Sequence, residues 1–196
     1  MKADRADKAV QVDRLKTLLS QLSVEFRPVV LNSGQPSDVY VDCKQTALSS
    51  EGAELLGVLM YDAIEALETR TQRKAKAVGG MSIGADPLAT AVSLEARKRG
   101  RNLPAFLVRK TAKNHGTEAF IEGAKNFEAE AEVILLEDVV TTGKSTLLAA
   151  ERMRDEKYRP FGVVAILDRE VGGVANLLSE QLSTEALFRL SEFRNS

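Results

Sequence analysis

The chain has 196 residues, with 27 Lys and Arg against 28 Asp and Glu, a formal net charge of −1 and 44% hydrophobic residues. That size and composition suit one α/β domain with a sizeable core, and the charge balance excludes a global basic field that would draw the protein to nucleic acid or anionic lipid. A lone cysteine, Cys43, excludes an internal disulfide and a cysteine-rich zinc site; no apolar run has the length of a membrane span, and the charged Met1–Leu15 stretch does not read as a signal peptide, so a cytoplasmic protein is expected.

In chain order, residues 1–9 are charged and read as frayed. Leu15, Leu18, Leu19 and Leu22 recur at helical spacing and predict an amphipathic helix over Val10–Leu22. A strand is expected over Phe26–Leu31, a turn over Leu31–Ser37, and extended alternation over Asp38–Asp42. Ser50 is the expected cap of a helix whose apolar stripe is Ala53, Leu56, Leu59, Met60, Ala63, Ile64 and Leu67. Ala77–Gly80 reads as a short buried strand, Met81–Ala85 as a loop, and Asp86-Pro87 as a helix start with Asp86 as cap, closed by Gly100. Pro104–Arg109 is an expected strand, followed by a long polar segment, Lys110–Glu132. Later come the apolar run Val133–Leu136, a helix near 145–156, a strand over Phe161–Leu167, a short helix near 174–181 and a last strand over Ala186–Leu190. Strands and helices alternate from residue 77 onward, which predicts an α/β core over about 71–196 with a mostly parallel central sheet flanked by helices. The first 70 or so residues form a helix and a less regular α+β hood, and residues 1–196 are expected to make a single domain.

The chemistry concentrates at Val133–Ser145, which reads V-I-L-L-E-D-V-V-T-T-G-K-S. An apolar strand ends in two carboxylates, Glu137 and Asp138, and a turn of small and hydroxylated residues then opens a helix. Ligands of open α/β sheets sit beyond the carboxyl ends of the strands. Free amides at a helix start bind phosphate, and adjacent carboxylates suit a pair of sugar hydroxyls. Two commoner nucleotide loops fail at a required position. Gly143-Lys144-Ser145 ends like a Walker A loop, but Asp138 stands where the first glycine belongs; Gly79, Gly80 and Gly84 come near G-x-G-x-x-G, but Met81 takes the middle glycine position. An ordinary strand–turn–helix junction with solvated acids is the alternative.

The same segment resembles the phosphoribosyl pyrophosphate (PRPP) signature of type I phosphoribosyltransferases, an apolar run, two acids and a Thr/Gly turn. Its Glu-Asp pair is the variant of the usual Asp-Asp found in the orotate branch. The resemblance implies a PRPP loop of Glu137, Asp138, Val139, Val140, Thr141, Thr142, Gly143, Lys144 and Ser145. In it Glu137 and Asp138 take the ribose hydroxyls, Asp138 counts as catalytic, and Thr141–Ser145 takes the 5′-phosphate. Further motifs follow the family order. Arg109-Lys110-x-x-Lys113-x-His115-Gly116, with Ile121-Glu122-Gly123 behind it, places three cations and the chain's one histidine within seven residues. It is similar to the flap (about 109–125) of orotate phosphoribosyltransferases. That likeness implies Lys113 and His115 as catalytic groups given to a neighbouring subunit, Arg109 and Lys110 as pyrophosphate contacts, and hence a homodimer.

Gly79–Ala85 matches the loop whose backbone approaches pyrophosphate. Ser33-Gly34-x-x-Ser37-x-x-Tyr40-x-Asp42 resembles the hood segment, with Asn32 where some members carry Lys; the resemblance implies that Tyr40 flanks the base, a core aromatic being the equal alternative. In Leu167-Asp168-Arg169 the resemblance implies Arg169 as the partner of the orotate carboxylate, with Thr141 also near the base. The implied reaction joins orotate and PRPP to give orotidine 5′-monophosphate (OMP) and pyrophosphate. Mg²⁺ is the implied cofactor, bound through PRPP near Glu137 and Asp138 with no direct protein ligand expected. Two other readings stand beside it: transfer to another, purine, base, and a PRPP-sensing regulator without catalysis.

Overall fold

The computed structural model describes residues 2–30, 36–111 and 120–194. From the amino end the chain forms α1 (Lys2–Leu22). Two short antiparallel ribbons follow: β1 (Val24–Glu25) with β4 (Tyr40–Val41), and β2 (Val29–Val30) with β3 (Pro36–Ser37). A single-turn helix α2 (Lys44–Ala47) and the long α3 (Ser50–Thr71) come next. After them run β5 (Ala77–Met81), α4 (Asp86–Lys98), β6 (Ala105–Val108), β7 (Ile121–Glu122) and β8 (Glu132–Val140), then α5 (Lys144–Asp155), β9 (Arg159–Asp168), α6 (Gly173–Ser179) and β10 (Ser183–Arg189).

The expected sheet is present. Its order is β10-β9-β8-β5-β6-β7, parallel throughout except for the antiparallel edge strand β7. The central strands are buried on both faces, so they read as continuous apolar runs rather than alternating ones. Alternation still decides which layer each residue serves. Ile134 and Leu136 of β8 join a core shared with α1, α3 and α4, while Val133 and Leu135 join one shared with α5 and α6. Leu56, Met60, Ile64 and Leu67 of α3 are fully buried in the first of these, so α3 belongs to the layer that backs the sheet.

Several expected boundaries move. The frayed stretch is helical, since α1 begins at Lys2; Ala3, Ala6 and Ala9 favour helix, and Lys8 pairs with Asp62 of α3 at 2.7 Å. Ser49 rather than Ser50 caps α3, accepting the Gly52 N–H at 3.1 Å. Asp86 is the first residue of α4 rather than its cap, and its carboxylate accepts the Ser82 hydroxyl at 2.7 Å. The expected strand Phe26–Leu31 is broken: Val24–Glu25 and Val29–Val30 pair with different partners on either side of Pro28, which has no N–H to give. The polar segment after β6 contains an extra strand, β7, whose Ile121 pairs with Val108. The largest correction concerns β8, which continues through both acids to Val140. Parallel pairing of Glu137 with Ala165, Val139 with Leu167 and Val140 with Asp168 holds it extended.

Candidate active site

Because β8 runs on through Glu137 and Asp138, the pleat sends the two carboxylates to opposite faces. Glu137 lies under α5 and is 5% exposed. Its Oε2 accepts hydroxyls from Ser145 at 2.8 Å and Thr146 at 2.6 Å. Burial, and then the neighbouring Asp138 charge, push its carboxyl up to about 7 against the two hydroxyls that favour ionisation. Asp138 turns the other way and its side chain is 14% exposed. Its Oδ1 accepts the Val139 N–H at 2.9 Å, and its Oδ2 lies 3.5 Å from the Lys44 ammonium. Gly84 closes against the same carboxylate, since a Cβ there would stand 2.7 Å from Asp138 Oδ1. A side chain there would displace the Asp138 carboxylate.

Both acids border a cavity of about 280 Å³ lined also by Lys44, Ser82, Ile83, Gly84, Lys110 and Ser145. Two larger clefts lie elsewhere, one walled by paired charges of α1, α3 and α4 and one along the outside of α5. Neither reaches the carboxyl ends of the parallel strands.

Beyond Val140 the chain turns through Thr141–Gly143 into α5. Gly143 has φ +80°, and a Cβ on it would press on Leu177, so only glycine turns the chain here without strain. No side chain caps α5, and the first amide bonded back into the turn is that of Leu147, to the Gly143 carbonyl at 2.8 Å. Among the described residues the N–H groups of Thr142, Gly143, Lys144 and Ser145 have no acceptor, which leaves an anion-binding helix start. The Ser145 hydroxyl is already committed to Glu137. Lys144 points its exposed side chain to the α5 cleft, so only its backbone faces the turn.

Beside this turn, the Arg169 N–H donates to the Val140 carbonyl at 2.9 Å, which sets Arg169 next to Thr141. The Arg169 Nη2 donates to Ser37 Oγ at 3.1 Å and to the Val39 carbonyl at 3.4 Å, linking the sheet end to β3. Its Nε is buried with no partner among the described residues, and burial lowers the pKa of the guanidinium. A buried donor without an acceptor is costly, so a ligand acceptor would fill it.

Of the expected site residues, Glu137, Asp138, Val139, Ser145 and Lys110 meet at the cavity, and Thr141 and Arg169 meet beside it. Arg109 is turned to Glu122 at 3.1 Å, and its carbonyl, like that of Lys110, accepts from the Arg152 guanidinium. Tyr40 is 37% exposed and lies against the Arg27 guanidinium, 4.9 Å from ring centroid to carbon, away from the cavity lining. Lys113 and His115, with the rest of residues 112–119 of the flap, and Asn32, Ser33 and Gly34 of the hood motif lie outside the described residues. Sequence reading missed Lys44 and Thr146. Thr146 is three residues past the turn, where i to i+4 spacing brings it over the strand end, a signal that was there to find.

Burial of Glu137 predicts a pH dependence of stability. Its folded pKa lies above the ordinary 4.5, so the contribution is fully present below about 4.5 and is lost as pH rises through about 7. The loss is on the order of 3 kcal/mol. Denaturant unfolding at pH 5 and pH 8 should show that fall in the native protein and a much flatter response in Glu137→Gln; equal slopes would contradict it.

No protein-family model matches the chain. Curated relatives do. It is 42% identical over 185 residues to the orotate phosphoribosyltransferase of Sorangium cellulosum, covering 94% of each chain. It is 40% identical over 189 residues to that of Nostoc sp., covering 96% of this chain and 88% of the relative. The crystal structure of Mycobacterium tuberculosis orotate phosphoribosyltransferase in complex with PRPP superposes with a TM-score of 0.74 at 31% identity, over 94% of this chain and 99% of the other.

Proposed function

Since the chain belongs to the orotate phosphoribosyltransferase family, we propose that the β8 end, the α5 turn and Arg169 together bind PRPP and orotate for phosphoribosyl transfer. The enzyme is a pentosyltransferase that converts orotate and PRPP to OMP and pyrophosphate. The observation that carries the site reading is the joining, within one turn, of an acidic strand end and an uncapped helix start. Such a turn suits the hydroxyl and the phosphate ends of one sugar phosphate. The Thr142–Ser145 amides take the 5′-phosphate, and Asp138 accepts from the ribose hydroxyls. Glu137 borders the same floor while fastening Ser145 and Thr146 to it. Arg169 offers its free Nε to the orotate carboxylate, close to Thr141. Tyr40 is left to the hood.

In the reaction an orotate ring nitrogen forms a bond to ribose C1 as the bond from C1 to the pyrophosphate oxygen breaks. No enzyme nucleophile is needed, and Cys43 is buried out of the way. Ribose gains positive character, which the Asp138 carboxylate stabilises, while the leaving pyrophosphate gains negative charge. Lys110 faces it from the cavity wall, and Lys113 and His115 are assigned to it from the flap of a second subunit. Among the described residues no cluster of three or more His, Cys, Asp or Glu side chains could hold a metal ion. In this proposal the ion is carried by PRPP oxygens, with the Asp138 carboxylate beside it. Mg²⁺ bound in that way would screen the pyrophosphate charge. A homodimer and a cytoplasmic location belong to this proposal, as does a single domain over residues 1–196. In it the hood is the pair of ribbons, because α3 backs the sheet. Among the described residues no helix is long and apolar enough to cross a membrane.

The test is an ultraviolet absorbance assay with orotate, PRPP and Mg²⁺. A PRPP-dependent fall of the orotate band, abolished by EDTA, is the expected result. No fall, with PRPP still bound by calorimetry, would point to a purine base or to a PRPP-sensing regulator.

A further inference from the structure

Lys44 opens α2, two residues after Asp42 of the hood motif, and no family motif quoted above includes it. Its ammonium lies 2.6 Å from Asp42 Oδ1 and 3.5 Å from Asp138 Oδ2, and its side chain lines the cavity. Asp42 is itself fixed, accepting the Gln45 amide at 3.1 Å and the Lys44 backbone N–H at 3.3 Å. Three contacts thus define where Asp138 points: the Val139 amide, the Gly84 backbone and Lys44. Lys44 brings the one full positive charge among them. We propose that Lys44 is a positioning residue of the phosphoribosyl site, holding the Asp138 carboxylate toward the ribose hydroxyls and offsetting the acidic floor so that an anionic diphosphate can lie beside it.

The physical need is plain. Glu137 and Asp138 are adjacent, both sparingly exposed, and face a ligand carrying phosphate and diphosphate groups. A second negative charge beside Asp138 is disfavoured where water is scarce, which is part of why the Glu137 carboxyl is pushed up to about 7. The ammonium stays charged because, although burial opposes it, Asp42 and Asp138 outweigh that effect and raise its pKa. At 39% exposure Lys44 still reaches the cavity. Of the other cavity neighbours, Ser82, Ile83 and Gly84 offer backbone and a hydroxyl but no charge, and Lys110 is the second cation on the cavity wall.

The inference rests on the assignment of Asp138 to the ribose hydroxyls, so the experiment carries that assignment as its own arm. The full chain is prepared as native protein, K44M, K44R, D138N and K44M/D138N. PRPP binding is measured by calorimetry and the Michaelis constants by steady-state assay. K44M should weaken PRPP binding about tenfold, with the KM for orotate within about twofold of native, and K44R should recover most of the loss. In the D138N background the K44M effect should shrink below about twofold, since Lys44 acts through that carboxylate. Native PRPP affinity in K44M, with D138N impaired, would overturn the inference alone. Native affinity in D138N would remove the assignment and the inference with it. An equal loss for both substrates, a lowered melting temperature and no recovery in K44R would make Lys44 a merely structural residue and overturn the proposal.

Discussion

Arg169→Ala should lower kcat/KM for orotate by about a hundredfold or more while PRPP binding stays within about twofold of native. The buried Nε has no acceptor among the described residues, while Nη2 is held by Ser37 and the Val39 carbonyl. A guanidinium anchored at one corner and holding a buried, unsatisfied donor at another gains from a carboxylate acceptor, and charge-assisted bonds of this kind are roughly twice as strong as neutral ones. Lysine has neither the planar fork nor the reach to both partners, so Arg169→Lys should recover little. The measurement is steady-state kinetics with orotate varied, beside calorimetry with PRPP. Unchanged kcat/KM for orotate in Arg169→Ala would mean that the carboxylate is bound elsewhere. Loss of PRPP affinity to the same degree would mean that Arg169 only secures the Ser37–Val39 segment.

The second large effect concerns turnover. Lys113→Ala should cut kcat by about a hundredfold to ten-thousandfold with PRPP binding little changed, because the assigned contact forms as charge builds on the leaving pyrophosphate. Asp138→Asn should be comparably inactive for a different reason, the loss of a carboxylate at the strand end. If each flap serves the neighbouring subunit, mixing and re-pairing the two inactive proteins creates hybrids with one intact site. Random pairing would restore about a quarter of native activity. Heterodimers shown to form by differential tagging but lacking activity would end the shared-site reading.

Much of this fold was legible because buried parallel strands declare themselves as apolar runs, as Val133–Leu136 and Phe161–Leu167 do. The strand end was less legible. Two acids after an apolar run look like the start of a loop, yet pairing of Glu137 with Ala165 and Val140 with Asp168 keeps them in the sheet. That changes their chemistry. Reading them as a matched pair overlooked the period of two, which separates Glu137 toward Ser145 and Thr146 from Asp138 toward Lys44 and Gly84. The amino-terminal ribbons have strands of two residues each, too short for any alternation to register. Lys44 left no mark in the sequence: beside Asp42 it looks like any solvated charge pair, and its meaning comes from an aspartate that only the fold brings near. Arg169 was found by resemblance, but its half-buried setting and unpaired Nε are properties of packing that no short motif contains.

The strand order has a kinetic consequence. β8 pairs with β5 across Val78–Ile134 and Gly79–Leu135, so closing that seam joins points separated by roughly fifty residues of chain, with β6 and β7 threaded between them. Pairings so remote in sequence form late, after helices such as α3 and α4 have had time to appear. Asp138 belongs to β8, whereas Gly84 follows β5, so the catalytic floor does not exist until the seam has closed. During refolding the helical signal should return first, and the return of activity marks closure of the sheet.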